Sequence, residues 1–262
     1  VQGADTKLMS GAPVSRPSVD SADTSYPQIA IDLQTLHEAE NYRRWLFSQV
    51  EGALGRRIVE VGSGIGNYTE FLVHRGDVLA TDMEEAYLRE LARRFSGKEH
   101  LSTLCYRLGE PNAQAHRQLA AFRPDTFVCM NVLEHVERDT EAVSEMLGLL
   151  SKGGHVALIL PAMPALFSPV DARYGHFRRY RKSDAARLIS DPSVASIVRC
   201  RYFNAVGTVA WWINHVLLKR EHLPRVQTRV FDRGLVPLVA AVERRFPPFV
   251  GLSLVVWIEK IS

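Results

Sequence analysis

Short apolar runs alternate with helical stretches through the middle of the chain. Five runs rich in Val, Ile and Leu have the length of strands, and apolar residues at helical spacing follow each of the first four. Such β-α alternation predicts a parallel sheet with helices on both faces. The predicted strands cover residues 57–61, 78–81, 101–108, 126–130 and 155–160, and the predicted helices cover 66–74, 84–95, 113–122 and 140–150.

The pattern differs on both sides of this region. Residues 1–27 are rich in Ser, Pro, Gly, Ala and Asp without periodicity, which predicts a flexible tail. Residues 28–262 are expected to form one domain, which begins with a helix over 31–54. Beyond residue 160 we predict an irregular stretch to 182, helices over 183–189, 205–218 and 234–245, and strands over 194–201 and 249–259.

A glycine-rich turn follows the first predicted strand. Gly62, Ser63, Gly64 and Gly66 stand between that strand and a helix, and glycines there permit a sharp turn on which a nucleotide-like cofactor can lie. Asp82 ends the second strand, where a carboxylate can accept hydrogen bonds from both hydroxyls of a ribose. The two features together predict a cofactor site at one edge of the sheet.

Two alternative functions share these features. A nicotinamide-dependent oxidoreductase would have the fingerprint GxGxxG, but Asn67 stands where its third glycine belongs, and Glu60 occupies a position that is usually apolar. A binding protein that keeps the cofactor pocket without chemistry would have the same turn. An absorbance assay for the nicotinamide separates the first alternative, and turnover separates the second.

Four motifs resemble those of the class I S-adenosylmethionine-dependent methyltransferases. The first is an acid, then one residue, then GxGxG, and the resemblance extends over residues 42–160. It implies a doubly wound, Rossmann-like α/β sheet of seven strands with the last antiparallel, a helical cap, and S-adenosyl-L-methionine as cofactor. The other motifs are Leu-Gly-Glu at 108–110, where the family usually has Gly-Asp-Ala, the segment 124–136, which resembles "fDlvv…nvLEHv", and Lys-Gly-Gly at 152–154.

The resemblance also implies which residues hold the methyl donor. Met83 would face the adenine and Glu110 would accept from its amino group, although Asp is usual there. Backbone at Asn131 and Leu133 would lie near the methionine part, and Tyr42 would either cover the donor or belong to the core. The complete predicted donor set is Tyr42, Glu60, Gly62, Ser63, Gly64, Gly66, Asp82, Met83, Gly109, Glu110, Asn131 and Leu133.

The most distinctive segment, residues 166–182, follows the fifth strand and is expected to overhang the reaction centre. It resembles a "D…GHxRRY" pattern in a bacterial branch of these methyltransferases. Its arginines would form an anion clamp, because a guanidinium group can donate two parallel hydrogen bonds to a phosphate or a carboxylate. The alternative is that the segment is a solvated basic loop. The predicted acceptor-binding set is Arg173, Tyr174, His176, Arg178, Arg179, Tyr180 and Trp211, and the candidate bases are His176, Tyr180 and His135.

The stretch around Trp211 is unusually apolar. It would be a core helix on the sheet or the wall of a pocket for an apolar acceptor. With insertions over 161–248 recognising the acceptor, we expect a small molecule with an apolar body and an anionic end, such as a prenyl diphosphate or a lipid-like phosphate. An O- or N-methyltransferase of secondary metabolism fits equally well, and the methylated atom stays open between C, N and O.

Composition narrows the classes of partner. The 32 Lys+Arg and 29 Asp+Glu give a net charge of +3, which is too mild to indicate nucleic acid. Cys105, Cys129 and Cys200 have no CxxC spacing, which predicts reduced, mostly buried thiols in a cytoplasmic protein. The nine histidines show no HExxH or Cys/His ligand spacing, so no metal site is predicted. No stretch reaches the ~20 apolar residues of a membrane span.

Overall fold

The structure, a computed structural model, describes residues 33–110, 112–220 and 230–262, so the predicted tail at 1–27 lies outside the described residues. The strands are β1 (Arg57–Val61), β2 (Asp77–Asp82), β3 (Leu101–Cys105), β4 (Thr126–Met130), β5 (His155–Pro161), β6 (Ala195–Phe203) and β7 (Ser253–Lys260). The helices are α1 (Glu40–Ser48), α2 (Thr69–Leu72), α3 (Glu85–Arg94), α4 (Ala113–Phe122), α5 (Asp139–Leu149), α6 (Pro169–Arg173), α7 (Lys182–Ala185), α8 (Ala205–Trp211) and α9 (Val236–Arg245).

All seven described strands belong to one sheet, in the order β3-β2-β1-β4-β5-β7-β6. The pairs among β1 to β5 are parallel, and β7 is antiparallel to both β5 and β6. The predicted doubly wound sheet with an antiparallel last strand is therefore confirmed. The order reverses between β1 and β4, and ligands of such sheets bind beyond the carboxyl ends of the strands at this reversal.

The core lies on both faces of the sheet. Alternate residues of a strand point to opposite faces, so Ile58 and Val59 of β1 belong to two separate apolar clusters. On β5, Leu158 joins the cluster of Val59 and Ile159 joins that of Ile58. Burial on both faces explains why the central strands appear in the sequence as unbroken apolar runs.

Several element boundaries differ from the prediction. The helix expected over 31–54 is divided, with α1 over Glu40–Ser48 and a 3-10 turn over Glu51–Ala53. The helix expected from residue 66 begins only at Thr69, because Gly66 has a φ of 87°, which an α-helix does not contain. Strand β3 ends at Cys105, and the chain then turns at Gly109, whose φ is 81°. Strand β7 begins at Ser253, and Phe249, expected inside it, is 94% exposed.

The apolar stretch around Trp211 also differs from one of its two interpretations. Helix α8 continues as a π-helical turn over Trp212–Leu217, and a second π-helical turn over Phe231–Leu235 leads into α9. Trp212 and Ile213 are exposed, as is Leu218 after the turn. The interpretation of this stretch as a core helix on the sheet is therefore wrong.

The cysteines and the helices bear on two expectations from composition. Cys129 is buried and Cys200 is half-buried, but Cys105 is exposed, so the expectation of mostly buried thiols is wrong for that residue. Within 33–110, 112–220 and 230–262, no helix combines the length and the apolar content that crossing a bilayer requires.

Candidate active site

The glycine turn lies between β1 and α2, at the carboxyl edge of the sheet. Gly62, Gly64 and Gly66 have φ values of 71°, 52° and 87°, which residues with side chains rarely adopt. Space is also limited at the first of them, because a Cβ on Gly62 would lie 2.3 Å from Cγ2 of Val132. The turn therefore presents bare backbone next to the end of β4.

Asp82 lies across from this turn, at the end of β2. Its Oδ2 accepts a hydrogen bond from the backbone nitrogen of Gly64 at 2.8 Å, and its Oδ1 accepts one from that of Glu84 at 2.9 Å. Burial raises the pKa of the Asp82 carboxyl, and the two backbone donors oppose this rise. Each carboxylate oxygen has a further lone pair, so Asp82 can hold the turn and accept from a ribose hydroxyl.

Two further polar groups of the predicted donor set are buried at the turn. The Glu60 carboxylate accepts a hydrogen bond from the hydroxyl of Thr69, and burial raises its pKa to about 8. The hydroxyl of Ser63 is buried and has no hydrogen-bond partner among the described residues. An unsatisfied buried hydroxyl costs about 1–3 kcal/mol, and a ligand on the turn would supply a partner.

A helical segment over residues 33–38 and helix α1 cover the turn. Asn67 donates from Nδ2 to the carbonyl of Leu33 at 3.0 Å, and its Oδ1 lies 3.1 Å from Nδ1 of His37. The buried guanidinium of Arg43 donates to the carbonyl of Asn67 at 2.9 Å and pairs with Glu70 at 2.8 Å. Arg43 therefore fastens this cover to the turn.

Met83, Gly109 and Glu110 lie together beyond the ends of β2 and β3. Met83 is 47% exposed, and its sulfur lies 3.4 Å from Nη2 of Arg107. The other terminal nitrogen of Arg107 donates to Glu110 at 2.8 Å. The Glu110 carboxylate is thus exposed near Met83, where a ligand could reach it. It is already paired with Arg107.

The end of β4 carries the two backbone positions predicted near the methionine part. Asn131 has a φ of 54° and is exposed, and its amide donates to the carbonyl of Ile159. Leu133 is fully buried and begins the 3-10 turn Leu133–His135. Val132 between them packs on Gly62, so this segment and the glycine turn form one edge.

Tyr42 faces an apolar cavity, and the residues of the glycine turn do not line that cavity. Its hydroxyl accepts a hydrogen bond from Nδ2 of Asn204 at 3.5 Å, and both residues line a cavity of about 240 Å³. Trp211 lines the cavity from α8. This contact is compatible with the interpretation of the stretch around Trp211 as the wall of a pocket. The apolar lining also includes Leu36, Ala39, Ala210, Phe231 and Leu252.

Asp171 organises the segment 166–182. Its Oδ1 accepts from Nε of Arg179 at 2.9 Å and lies 2.9 Å from Nδ1 of His176, and its Oδ2 accepts from the hydroxyl of Ser168 at 2.8 Å. Arg179 is buried, and its guanidinium also lies 4.6 Å from the ring centroid of Trp211. These contacts occupy Arg179 inside the protein.

Arg178 and Tyr180 are directed to a second buried acid, Asp139. Arg178 pairs with Asp139 at 2.9 Å and donates to the carbonyl of Glu137 at 2.7 Å. Tyr180 is fully buried and donates to Asp139 at 3.1 Å, and burial raises its pKa. The two arginines predicted as an anion clamp are thus each paired with a carboxylate of the protein. The hydroxyl of Tyr180 also points into the protein, so these three side chains stabilise the conformation of the loop.

The other two candidate bases come together. The ring centroids of His135 and His176 are 4.6 Å apart, and Nε2 of His176 lies 3.9 Å from Oε1 of Glu134. Glu134 is fully buried, and neither of its oxygens has a hydrogen-bond partner among the described residues. Tyr174 lies at the edge of this group, with its ring 6.1 Å from that of His176, and Arg173 precedes it half-buried at the end of α6.

Sequence reasoning missed the acids of this region. Three buried acids lie in or next to segments 124–136 and 166–182: Glu134, Asp139 and Asp171. Only their burial distinguishes them from ordinary surface acids. Their spacing along the chain gives no signal, because the loop after β5 folds back over the end of β4. The amide of Phe177 donates to the carbonyl of Glu134 at this crossing.

Comparisons with known proteins agree with this geometry. Residues 59–156 match the family model described as a methyltransferase domain. The chain is 31% identical over 127 residues to the ubiquinone biosynthesis O-methyltransferase of Acinetobacter baylyi, covering 48% of this chain and 52% of that protein. The enzyme of the same name from Methylococcus capsulatus is 36% identical over 127 residues, with the same coverage. The chain thus spans about half the length of the curated relatives that it matches.

Solved structures share the fold over most of the chain. The N-methyltransferase NodS from Bradyrhizobium japonicum, in complex with S-adenosyl-L-homocysteine, has a TM-score of 0.51 at 13% identity, covering 86% of this chain and 87% of that one. The plantazolicin methyltransferase BpumL, also in complex with S-adenosylhomocysteine, has a TM-score of 0.53 at 12% identity and 92% coverage of both chains. Residues 59–156 therefore resemble a methyltransferase domain, and the chain as a whole has the fold that these solved methyltransferase structures share.

Proposed function

We propose that this protein transfers the methyl group of S-adenosyl-L-methionine to a hydroxyl of a small molecule with an apolar body. The observation that carries the donor assignment is the hydrogen bond from Gly64 to Asp82, which brings the glycine turn and the carboxylate together at 2.8 Å. A ribose held by Asp82 would lie on the bare backbone of the turn. The unpartnered hydroxyl of Ser63 supports a ligand at the same place.

In methyl transfer the protein mainly has to position the donor and the acceptor and to exclude water. A lone pair of the acceptor oxygen forms a bond to the methyl carbon while the carbon–sulfur bond breaks and its electrons stay on sulfur. The hydroxyl proton passes to water, and the products are a methyl ether and S-adenosylhomocysteine. Holding two reactants in line contributes most of the rate in such displacements.

The acceptor class rests on the cavity and on the relatives. The cavity beside Tyr42 and Trp211 is lined mainly by apolar groups, as pockets for small organic molecules usually are. The curated relatives are named as O-methyltransferases of ubiquinone biosynthesis, which supports oxygen as the methylated atom. An anionic end lacks support, because Arg178 and Arg179 are each paired with a carboxylate.

Calorimetric titration with S-adenosylhomocysteine tests the donor assignment. We expect micromolar binding of S-adenosylhomocysteine and no measurable binding of the oxidised or reduced nicotinamide dinucleotide in the same cell. The opposite result would replace the methyltransferase by an oxidoreductase. Transfer of a radiolabelled methyl group to a panel of phenols, matched with their methyl ethers as controls, then tests oxygen as the acceptor atom.

Inorganic diphosphate tests the anionic end separately. Titrated alone and with S-adenosylhomocysteine present, it should not bind, because Arg178 and Arg179 are each paired with a carboxylate. Independent binding of diphosphate, lost on replacing Arg178 with Ala, would restore a prenyl diphosphate or lipid-like phosphate as the acceptor.

A further inference from the structure

Three potential metal ligands converge where the loop after β5 crosses the end of β4. One ligand atom from each of Glu134, His135 and His176 lies within 4.8 Å of the other two. Ligand atoms on one divalent ion stand roughly 3–4 Å apart, since each lies about 2.1 Å from the ion. One pair of these atoms already meets this spacing, with Oε1 of Glu134 3.9 Å from Nε2 of His176.

The environment of Glu134 is the observation that indicates a ligand. Its side chain is fully buried, and neither carboxylate oxygen has a hydrogen-bond partner among the described residues. A buried carboxylate without partners is among the most costly groups in a protein, and buried charges are normally paired or coordinate metals. Nε2 of His176 faces it at 3.9 Å, a separation that exceeds a hydrogen bond.

Both histidines are oriented as ligands are. Nδ1 of His176 lies 2.9 Å from Asp171, which leaves Nε2 free to bind an ion. The ring of His135 forms a hydrogen bond with the backbone of Tyr174 and keeps an exposed edge. Metal-bound histidines usually donate their second ring nitrogen to a carboxylate or a backbone carbonyl in this way.

We infer that Glu134, His135 and His176 form a binding site for a divalent transition-metal ion. Two imidazoles and one carboxylate favour zinc or iron over magnesium, and such three-residue sites leave coordination positions open. His135 lies at the rim, so the open positions face outward at the carboxyl end of β4. The sequence predicted no metal because its criterion was local spacing, whereas His176 comes from the loop after β5.

The open positions suggest a role, and this role rests on the proposed function. A bound cation lowers the pKa of a coordinated hydroxyl, so an acceptor hydroxyl on the ion would release its proton to water and present an oxyanion to the methyl group. Asn131 and Leu133, expected near the methionine part of the donor, are within four residues of the site along the chain. The ion would therefore select hydroxylated acceptors.

Cobalt(II) is a spectroscopic probe for such a site. Protein dialysed against a chelator should bind one equivalent of Co²⁺ and gain a visible absorption band. Glu134→Gln keeps the shape of the side chain and His135→Ala alters an exposed ring, and each should weaken Co²⁺ binding by well over ~100-fold, beyond the 10- to 100-fold loss typical of groups that only orient ligands. His100→Ala, which removes an exposed histidine paired with Asp77, is the matched control and should bind as the wild type.

The outcomes separate the site from the proposed function. Binding of Co²⁺ that is unchanged in both variants, or absent in folded wild-type protein, would overturn the metal site, and circular dichroism establishes that each variant is folded. S-adenosylhomocysteine should bind equally to the metal-free and cobalt-loaded protein. Loss of S-adenosylhomocysteine binding in both forms would instead overturn the methyltransferase and leave the metal site standing.

Discussion

Arg179 donates to Asp171 through both Nε and Nη2, at 2.9 and 2.8 Å, and both side chains are buried. The pair joins the end of β5 to the loop that follows, because Arg179 also donates to the carbonyl of Ala162. Arg179, which the sequence analysis predicted as a ligand-binding residue, therefore helps to position Asp171, and Asp171 in turn contacts His176.

Replacing Arg179 with Ala should destabilise the protein by about 3–5 kcal/mol, because Asp171 would remain as a buried charge without its cation. Arg44→Ala is the comparison, since Arg44 and its partner Glu40 are both exposed, and it should cost about 1 kcal/mol or less. Urea unfolding measures both. Equal losses of unfolding free energy would mean that the buried ion pair of Arg179 and Asp171 stabilises the protein no more than an exposed pair does.

Asp82→Ala should weaken binding of S-adenosylhomocysteine at least ten-fold, if the ribose contact contributes about 1.5–3 kcal/mol. Calorimetry measures the change directly. Asp77→Ala, at the other end of β2, removes an exposed acid and should leave the affinity unchanged. Wild-type affinity in Asp82→Ala would remove Asp82 from the donor site.

Glu60 should make stability depend on pH. Its pKa is about 8 in the folded chain but about 4.3 when unfolded, so the folded state keeps a proton that the unfolded state releases between these values. The unfolding free energy should therefore fall as pH rises through this window, by up to about 1.4 kcal/mol per pH unit, and level off above it.

Glu60→Gln removes this titration and should show a flatter pH profile in urea unfolding. Glu99→Gln changes an exposed acid and should keep the wild-type slope. The same slope in Glu60→Gln as in the wild type would show that Glu60 is ionised in the folded protein at neutral pH.

Gly62→Ala should destabilise the chain more than Gly97→Ala does. Both positions have positive φ, 71° and 85°, so both substitutions carry the conformational cost of about 1–2 kcal/mol. Only the first also meets a neighbour, because its new Cβ would lie 2.3 Å from Val132, whereas nothing lies within 4 Å at Gly97. Thermal unfolding compares the two, and equal shifts would mean that Val132 moves aside freely.

The sheet and the glycine turn at its carboxyl edge could be predicted from the sequence. Apolar runs and helical spacing are local properties, so they predict seven strands, and the resemblance to the class I methyltransferases implies the antiparallel last strand that β7 forms. Gly62, Gly64 and Gly66 were also predictable, because the positive φ values of a tight turn select glycine at the positions concerned.

The pairing of the charged residues in segment 166–182 could not be predicted from the sequence. Whether Arg178 and Arg179 meet a ligand depends on Asp139 and Asp171, and these pairings arise when the loop after β5 folds onto α5 and β4. Glu134 and His176 become neighbours for the same reason. Long-range contacts between charged side chains leave no periodicity in a sequence, so their partners, and the chemistry that remains available to them, depend on how the chain folds.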